Sequence, residues 1–405
     1  MKIILTAVRL AAVLCRADDL WEFSWGFELE YQLYATCPDE MTGLLANEIA
    51  SIGGANIRTA YRVVYFSASK EVAYKTHLHS RLSNRICRVI KEIPAQSPTI
   101  IFDKAKKIRF HELFSERQAI SINVVASNDG SKIPKHLIGS KLREAINDCF
   151  QHHLKITPNQ SSWGAAIGIT GYFHNKRLLV SVDTTFESLH KRGFRVEGHP
   201  APLSETLAAA LLAVCEYDGT TSFFDPVCGS GTIVVEAAQI ATNRASLIHR
   251  KKGGFGFEYL HDFDSRLWQN IQDQARAAEW PAKVKIFASD IEPQFVEIAK
   301  KTITKAELET VIQLERKDFF NTEKPAERGL LIANIPYGLR MTEKDVSAEF
   351  LRTIGDHLKN SFKGWRCGIL APASSPLKEI GLKPQKQVAF MNGTFPVKLV
   401  IFDIY

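Results

Sequence analysis

The stretch DPVCGSGT, from Asp225 to Thr232, most constrains what this chain can fold into. It follows the apolar run TSFF and leads into GTIVVEAAQIATNRA, so a strand, a tight turn and a helix come in close succession. Two glycines separated by one residue let the main chain approach a ligand closely, and the start of a helix offers free N–H groups. The stretch therefore predicts a ligand-binding turn in an α/β fold.

Two common nucleotide-binding motifs are excluded at this turn. The dinucleotide fingerprint requires a third glycine where the chain has Val234, and no Gly-Lys-Ser/Thr follows as a phosphate loop requires. The glycine-rich segment KKGGFGF (251–257) ends no strand, so we interpret it as a loop.

Strands and helices alternate through the rest of the region 204–405. The runs KVKIFASD and GLLIANI read as strands, and each is followed by a helical pattern, which predicts a parallel sheet covered on both faces. The end differs, because KQVAFM and FPVKLVIFDIY flank Asn392-Gly393, a strong signal for an antiparallel hairpin. The predicted fold class is a Rossmann-like α/β domain, mostly parallel, that ends in an antiparallel hairpin.

Acidic residues follow the next two predicted strands. ASDIEP places Asp290 and Ile291 at the end of the second strand, and ERKDFF places Asp318 and Phe319 after the third. Taken singly, each acid could be a helix N-cap. The long separation of Asp225 from Asp290 predicts an insertion at roughly 241–283.

The glycine turn together with these acids resembles the cofactor-binding motifs of the class I S-adenosylmethionine methyltransferases. The resemblance implies that Asp290 binds the ribose hydroxyls, that Asp318 binds the adenine amine, and that Phe319 packs on the adenine ring. The cofactor-binding residues that it implies are Asp225, Pro226, Cys228, Gly229, Ser230, Gly231, Thr232, Asp290, Ile291, Asp318, Phe319, Asn334, Glu205 and Thr206. For Glu205 and Thr206, helix capping at a domain join is an equally good interpretation.

The residues NIPY, from Asn334 to Tyr337, end the predicted fourth strand. They resemble the Asn-Pro-Pro-Tyr motif of enzymes that methylate exocyclic amines of bases or a glutamine amide, with Ile335 in place of the first proline. The resemblance implies that Asn334 and the Ile335 carbonyl accept the two N–H bonds of the amine, so that its lone pair points at the methyl group. Pro336 keeps Ile335 extended, and Tyr337 would stack on a base turned out of its helix or loop.

With these motifs the chain from about Tyr31 onward is similar to the bacterial THUMP-domain methyltransferases of the RlmL type, which make N2-methylguanosine in large-subunit ribosomal RNA. Matching stretches include YATCPDEM, IGSKLREAI, SLHKRGFR and HPAPLSETLAAALL. The resemblance implies an α+β THUMP-type RNA-binding region before the methyltransferase domain. It implies the following organisation: an extension of unknown role (1–30), a ferredoxin-like domain (31–93), a THUMP domain (94–189), a linker (190–203) and a methyltransferase domain (204–405).

The charge distribution agrees with an RNA partner. Residues 58–200 carry 23 Lys and Arg against 11 Asp and Glu, whereas the whole chain has a net charge of only +7. Such asymmetry is typical of a polyanion-binding region, although a solvated basic surface is the simpler alternative. The residues expected to contact RNA are Lys135, Lys141, Arg143, Lys191, Arg192 and Arg195.

The remaining features favour a cytoplasmic protein. Seven scattered cysteines form no C-x-x-C pair, which argues for reduced thiols and against a cysteine metal site. The first residues, MKIILTAVRLAAVL, resemble a signal peptide, but Arg9 interrupts the apolar run and no cleavage site follows. No run is long enough to span a bilayer. We interpret the pairs His77/His79 and His152/His153 as surface residues and expect no metal.

Three rival functions stay open at this stage. The motif also fits N6-adenine methylation of DNA or RNA, since both bases present an exocyclic amine. Glutamine methylation of a release factor would not need so large a basic region. A non-catalytic RNA-binding protein with a vestigial methyltransferase fold is disfavoured by the intact acids, glycines and Asn334.

Overall fold

The computed structural model describes residues 31–127, 133–159, 164–196, 198, 203–335 and 347–405. These residues form two compact units, and each unit collects three separate stretches of the chain. The first unit contains residues up to His77 together with 83–189 and 251–271; the second contains 78–82, 190–250 and 272–405.

The first unit is built on a seven-stranded sheet with the order β2-β3-β1-β4-β7-β6-β5. All its neighbouring strands are antiparallel except β5 and β6, which are parallel. Its strands are β1 (Tyr31–Thr36), β2 (Ala55–Ala60), β3 (Val63–Ala68), β4 (Arg85–Pro94), β5 (Ile120–Ala126), β6 (Ile167–His174) and β7 (Arg177–Asp183). Its helices are α1 (Thr42–Ile52), α2 (Lys70–His79, whose last two residues belong to the second unit), α3 (Pro98–Ala105) and α4 (Lys135–Leu154).

Strand β4 is not what its local sequence pattern predicts. The spacing of residues from Lys70 to Ile93 is helical throughout, whereas helix α2 ends at His79 and residues 85–94 form β4. This strand pairs with β1 on one side and β7 on the other, and the pairing overrides the local periodicity. It also places the segments 31–93 and 94–189 in one sheet, so residue 93 marks no break between two sheets.

A tight hairpin joins the last two strands of the first unit. Strands β6 and β7 pair antiparallel, and Asn175 and Lys176 turn the chain with φ of 47° and 58°. Two successive residues with positive φ match the right-handed twist of the flanking strands.

The second unit contains a seven-stranded sheet with the order β10-β9-β8-β11-β12-β14-β13. The strands from β10 to β12 are parallel, and β14 pairs antiparallel with both β12 and β13, which confirms the predicted fold class. Its strands are β8 (Ser222–Asp225), β9 (Ile286–Asp290), β10 (Ile312–Arg316), β11 (Gly329–Asn334), β12 (Trp365–Pro372), β13 (Lys386–Asn392) and β14 (Phe395–Asp403). The other helices are α5 (Glu205–Val214), α6 (Thr232–Ala241), α7 (Ser265–Ala277, which spans both units), α8 (Pro293–Lys305) and α9 (Ala348–Ser361).

The strand order fixes where this unit binds a ligand. From β8 the chain proceeds outward to β9 and β10, then returns to place β11 on the other side of β8. In open α/β sheets, ligands bind at such a switch point, beyond the carboxyl ends of the strands. The carboxyl ends of β8 and β11 are Asp225 and Asn334.

The segment between α6 and β9 is the site of the expected insertion, and its middle part belongs to the first unit. There Phe257 stacks on Tyr74 with ring centroids 4.6 Å apart, and Trp268 meets both rings edge-on. All three rings are buried. The insertion therefore supplies part of the apolar core of the first unit.

Candidate active site

The turn after β8 has the geometry that its glycines predict. Gly229 and Gly231 have φ of 55° and 81°, in the left-handed region that side chains disfavour. Gly231 is the N-cap of helix α6, and Asp225 at the end of the strand is only 1% exposed. The Oδ1 of Asp225 accepts a 3.4 Å hydrogen bond from the main-chain N–H of Val227, which holds the carboxylate at the turn.

Asp290 connects the carboxyl ends of β8 and β9. Its Oδ2 accepts a 2.8 Å hydrogen bond from the main-chain N–H of Gly229, and its Oδ1 accepts a 3.0 Å bond from that of Glu292. Its carboxylate therefore fixes the glycine turn as well as its own loop.

We expect the replacement Asp290→Ala to weaken binding of an adenosyl ligand more than tenfold. The substitution removes a charged acceptor and leaves the Gly229 N–H without this partner, and hydrogen bonds to charged groups contribute about 1.5–3 kcal/mol. Calorimetry would measure the affinity, with the exposed Asp356→Ala on α9 as the control. Equal affinities of the two variants would contradict this role.

Asn334 lies on the neighbouring strand end and shares a cleft with the glycine turn. The cleft is lined by Leu203, Asp225, Val227, Cys228, Gly229, Ser230, Thr232, Ile233 and Asn334. The structure thus brings together two motifs that are more than 100 residues apart in sequence. Leu203, Val227 and Ile233 were not predicted, since apolar residues beside a motif give no signal that distinguishes a lining role from a core role.

The side-chain oxygen of Asn334 is buried and has no hydrogen-bond partner among the residues that the structure describes. A buried amide oxygen without a partner costs free energy, so it is well suited to accept a hydrogen bond from a ligand. Next to it, Ile335 is 2% exposed and its N–H donates a 3.2 Å bond to the Leu370 carbonyl, which fixes the main chain here. Pro336 and Tyr337 lie outside the described residues.

Cys228 is a neutral thiol in this cleft. Burial raises its pKa well above the ordinary value, and the charges of Asp225 and Asp290 act in the same direction. A thiol is a poor nucleophile until it is ionised, so a covalent role for Cys228 is disfavoured.

The expected adenine-binding residues have different environments. Asp318 caps a short 3-10 turn and accepts a 3.1 Å bond from the Phe320 N–H. Phe319 is 6% exposed and its ring packs edge-on against His357, with centroids 4.8 Å apart. Ile291 is 53% exposed at the end of β9. Of the two apolar side chains, Ile291 is the one with surface available to a ligand.

Glu205 and Thr206 are buried in the first turn of α5, where Ser204 caps the helix. Arg195 lies 2.8 Å from the Glu205 carboxylate and also donates to the Leu203 carbonyl. Burial raises the pKa of Glu205, and the positive charge of Arg195 opposes that shift. Leu203 lines the cleft, whereas Arg195 and Glu205 do not, so their connection to it is the Arg195 bond to the Leu203 carbonyl.

The residues expected to contact RNA fall into two groups. Lys135, Arg143 and Lys191 are exposed, and the partly buried Lys141 forms a 2.6 Å ion pair with Glu144. The prediction that Arg192 contacts RNA is wrong, because this side chain is 0% exposed and has no surface for RNA.

Arg192 belongs instead to a buried ion-pair network. Its Nε donates a 3.1 Å bond to the Glu236 carboxylate, and its guanidinium also donates to the main-chain carbonyls of Ser80 and Arg81. Arg81 forms a 3.0 Å bond to the second oxygen of Glu236. One buried carboxylate in α6, the helix that follows the glycine turn, thus holds two arginines. We refer to Arg81, Arg192 and Glu236 as the arginine–glutamate network.

The interpretation of His77 as a surface residue is wrong. This residue is 1% exposed, and its ring nitrogens contact the Ala73 carbonyl at 2.7 Å and the Thr184 hydroxyl at 2.9 Å. Sequence spacing cannot reveal this burial, because Thr184 is 107 residues away. His152 and His153 are exposed as expected. No helix in the described part of the chain is long and apolar enough to cross a membrane.

Comparison with known families agrees with this geometry. A family model described as UPF0020, an RMKL-like methyltransferase domain, matches residues 192–401. The chain belongs to this family. A second model, the RlmL ferredoxin-like domain, matches residues 32–87. The resemblance inferred from the motifs is therefore confirmed for both units.

Several relatives of this family member carry methyltransferase names. A ribosomal RNA large subunit methyltransferase K/L from Cellvibrio japonicus is 31% identical over 388 residues, which cover 92% of this chain and 51% of that protein. The chain thus spans about half the length of that relative. A Synechocystis protein, provisionally named an RNA methyltransferase, is 29% identical over 377 residues, covering 92% of this chain and 96% of that one.

One solved structure with a similar fold contains SAH, the product that S-adenosylmethionine becomes when its methyl group is transferred. SMU.472, described as a methyltransferase on a provisional basis, was crystallised with SAH. It superposes with a TM-score of 0.83 at 25% identity, over 94% of this chain and 99% of that one. The residues of our cleft fit the same group, since the glycine turn allows close approach and Asn334 offers a buried acceptor. The chain belongs to a family described as a methyltransferase domain, and its cleft suits an S-adenosyl group.

Proposed function

We propose that this protein transfers a methyl group from S-adenosylmethionine to the exocyclic N2 amine of a guanine in RNA, with large-subunit ribosomal RNA as the substrate. The observation that carries the proposal is the buried Asn334 oxygen, which has no partner among the described residues and belongs to a residue that lines the cleft of the glycine turn. The names of the relatives support RNA as the substrate class.

The chemistry explains why an amide oxygen stands at this position. The lone pair of an aromatic exocyclic amine is delocalised into the ring, so the free amine is a weak nucleophile. Hydrogen bonds from the amine to Asn334 and to the Ile335 carbonyl would orient the lone pair and localise it on nitrogen. Both acceptors are on a rigid element, because β11 lies between β8 and β12 and the Ile335 N–H is bonded to Leu370.

The cofactor supplies an electrophilic methyl group on a positively charged sulfur. Asp225 and Asp290, at the ends of adjacent parallel strands, would hold the cofactor by its polar groups, and the glycine turn would allow its close approach. The buried thiol of Cys228 stays neutral and takes no proton. The proton that leaves the methylated amine would pass to solvent, since the Asn334 amide is not a base.

The decisive experiment is transfer of tritiated methyl groups to unmodified ribosomal RNA, transfer RNA and DNA, followed by nucleoside analysis. We expect N2-methylguanosine in ribosomal RNA. N6-methyladenine in any of the substrates would overturn the proposal.

A control separates catalysis from a purely RNA-binding role. The variant Asp225→Ala should lose cofactor binding in calorimetry and methyl transfer together, because the carboxylate lines the cleft. Failure of the unaltered protein to bind S-adenosylmethionine would favour a non-catalytic RNA-binding protein.

Lys135 and Arg143 on α4 are expected to contribute to RNA affinity. We expect Lys135→Glu and Arg143→Glu each to weaken RNA binding and to reduce the slope of log affinity against log salt by about 1, because each removes one cation near phosphate. Filter binding at several salt concentrations would measure this. The exposed Lys363→Glu, in the second unit, is the control. Slopes equal to that of the control would show that this face of α4 does not contact RNA.

A further inference from the structure

The first unit contains a cluster of two histidines and a cysteine that the methyltransferase function does not use. Cys149 and His153 are four residues apart on α4, so they lie on the same face of the helix. His111 comes from a short 3-10 turn, Phe110–Glu112. The turn and the helix bring residues 38 positions apart into contact.

The distances within this cluster suit a metal ion. The Nδ1 of His111 lies 3.3 Å from the Cys149 Sγ, and the possible ligand atoms of the three residues all lie within 4.8 Å of one another. Two imidazoles and one thiolate around a tetrahedral zinc ion have ligand atoms about 3.3–3.5 Å apart, given Zn–N near 2.0 Å and Zn–S near 2.3 Å. The rings of His111 and His153 are stacked, with centroids 4.0 Å apart, so both would have to rotate to direct one nitrogen each at the ion.

We propose that His111, Cys149 and His153 form a zinc site, the His-Cys-His site, in the first unit. Two nitrogen ligands and one sulfur ligand suit a borderline-soft ion and not magnesium or calcium, which prefer oxygen. Cys149 is 3% exposed and His153 is exposed, so the site has a buried side and an open side. Water, or a group from a partner, would complete the coordination at the open side.

The arrangement also indicates what the ion would do. It would tie the carboxyl-terminal end of α4 to the 3-10 turn that follows α3 in the chain. A metal that binds only the folded state stabilises it. The simpler alternative is that the Cys149–His111 hydrogen bond and the stacking of His111 on His153, with centroids 4.0 Å apart, are packing contacts only.

Cobalt provides a direct test, because cobalt bound to a thiolate in a tetrahedral site gives strong visible bands and a thiolate charge-transfer band. The full chain, without a histidine tag, would be titrated with Co²⁺ and then with Zn²⁺. We expect one cobalt per chain, displaced by zinc, and a rise in the temperature of unfolding with zinc. The variants Cys149→Ser and His153→Ala should lose the charge-transfer band or bind at least tenfold more weakly.

Matched variants keep the test decisive. Cys37→Ser removes another buried cysteine of the first unit, and His136→Ala removes another exposed histidine of α4; both should keep the bands. His153 is exposed, so His153→Ala decides the matter if Cys149→Ser does not fold. Absence of a thiolate band in the unaltered protein, or a cobalt affinity of His153→Ala within tenfold of the unaltered protein's, would overturn the proposal.

Discussion

Replacing Asn334 with alanine is expected to lower the rate of methyl transfer about 10²- to 10³-fold, the loss found when one preorganised hydrogen-bonding group at a reacting centre is removed. The affinity for S-adenosylmethionine should change little, because Asp225, Asp290 and the glycine turn are left intact. The buried amide oxygen is the group removed, and no other described residue bonds to it. Single-turnover transfer and calorimetry on the same preparation would separate the two effects.

A matched variant serves as the control for Asn334→Ala. Asn360→Ala removes an exposed asparagine of α9 in the same unit and should leave both quantities unchanged. If Asn334→Ala lost cofactor affinity as severely as transfer, Asn334 would be a structural residue of the cleft. The proposed polarisation of the amine would then be wrong.

Replacing Glu236 with alanine is expected to destabilise the protein by about 3–5 kcal/mol, the cost of removing one partner from a buried ion pair. The carboxylate is 0% exposed and both of its oxygens accept bonds from arginine. Without it, the buried guanidinium of Arg192 and that of Arg81 would lose their shared counter-charge. Urea denaturation followed by circular dichroism would measure the change in the free energy of unfolding.

Two further variants distinguish charge from packing in this network. Glu236→Gln keeps the shape and the acceptor oxygen but removes the charge, so an intermediate loss of stability is expected. Glu323→Ala removes an exposed carboxylate of the same unit and should change the free energy of unfolding by less than about 0.5 kcal/mol. A loss for Glu236→Ala no greater than that of Glu323→Ala would contradict a stabilising role of the network.

The parts of the molecule that were predicted from the sequence depend on local patterns. The DPVCGSGT turn and the strand that ends at Asn334 each follow from short runs of residues, and the parallel order of strands places them at the same edge of the sheet. The fold class and the hairpin at Asn392-Gly393 followed from the same kind of signal and are confirmed.

The parts that were missed depend on contacts between residues far apart in sequence. A lysine–arginine run such as HKRGFR predicts exposed charge, and nothing in it reveals that Arg192 is paired with Glu236, 44 residues later. The helical spacing of residues before Ile93 could not indicate that residues 85–94 would form a strand paired with β1 and β7. The third member of the His-Cys-His site, His111, was equally invisible, because it comes from a different element than Cys149 and His153.

The way in which the chain is shared between the two units restricts how members of this family can diverge. Each unit is assembled from three stretches, so the polypeptide crosses from one unit to the other five times. Arg81 is supplied to the second unit by residues 78–82, and Phe257 to the first unit by the insertion. No single crossover between two genes could exchange one unit and leave the other intact. The two units of such a protein are therefore expected to be inherited together, with substitutions accumulating in step on both sides of each crossing.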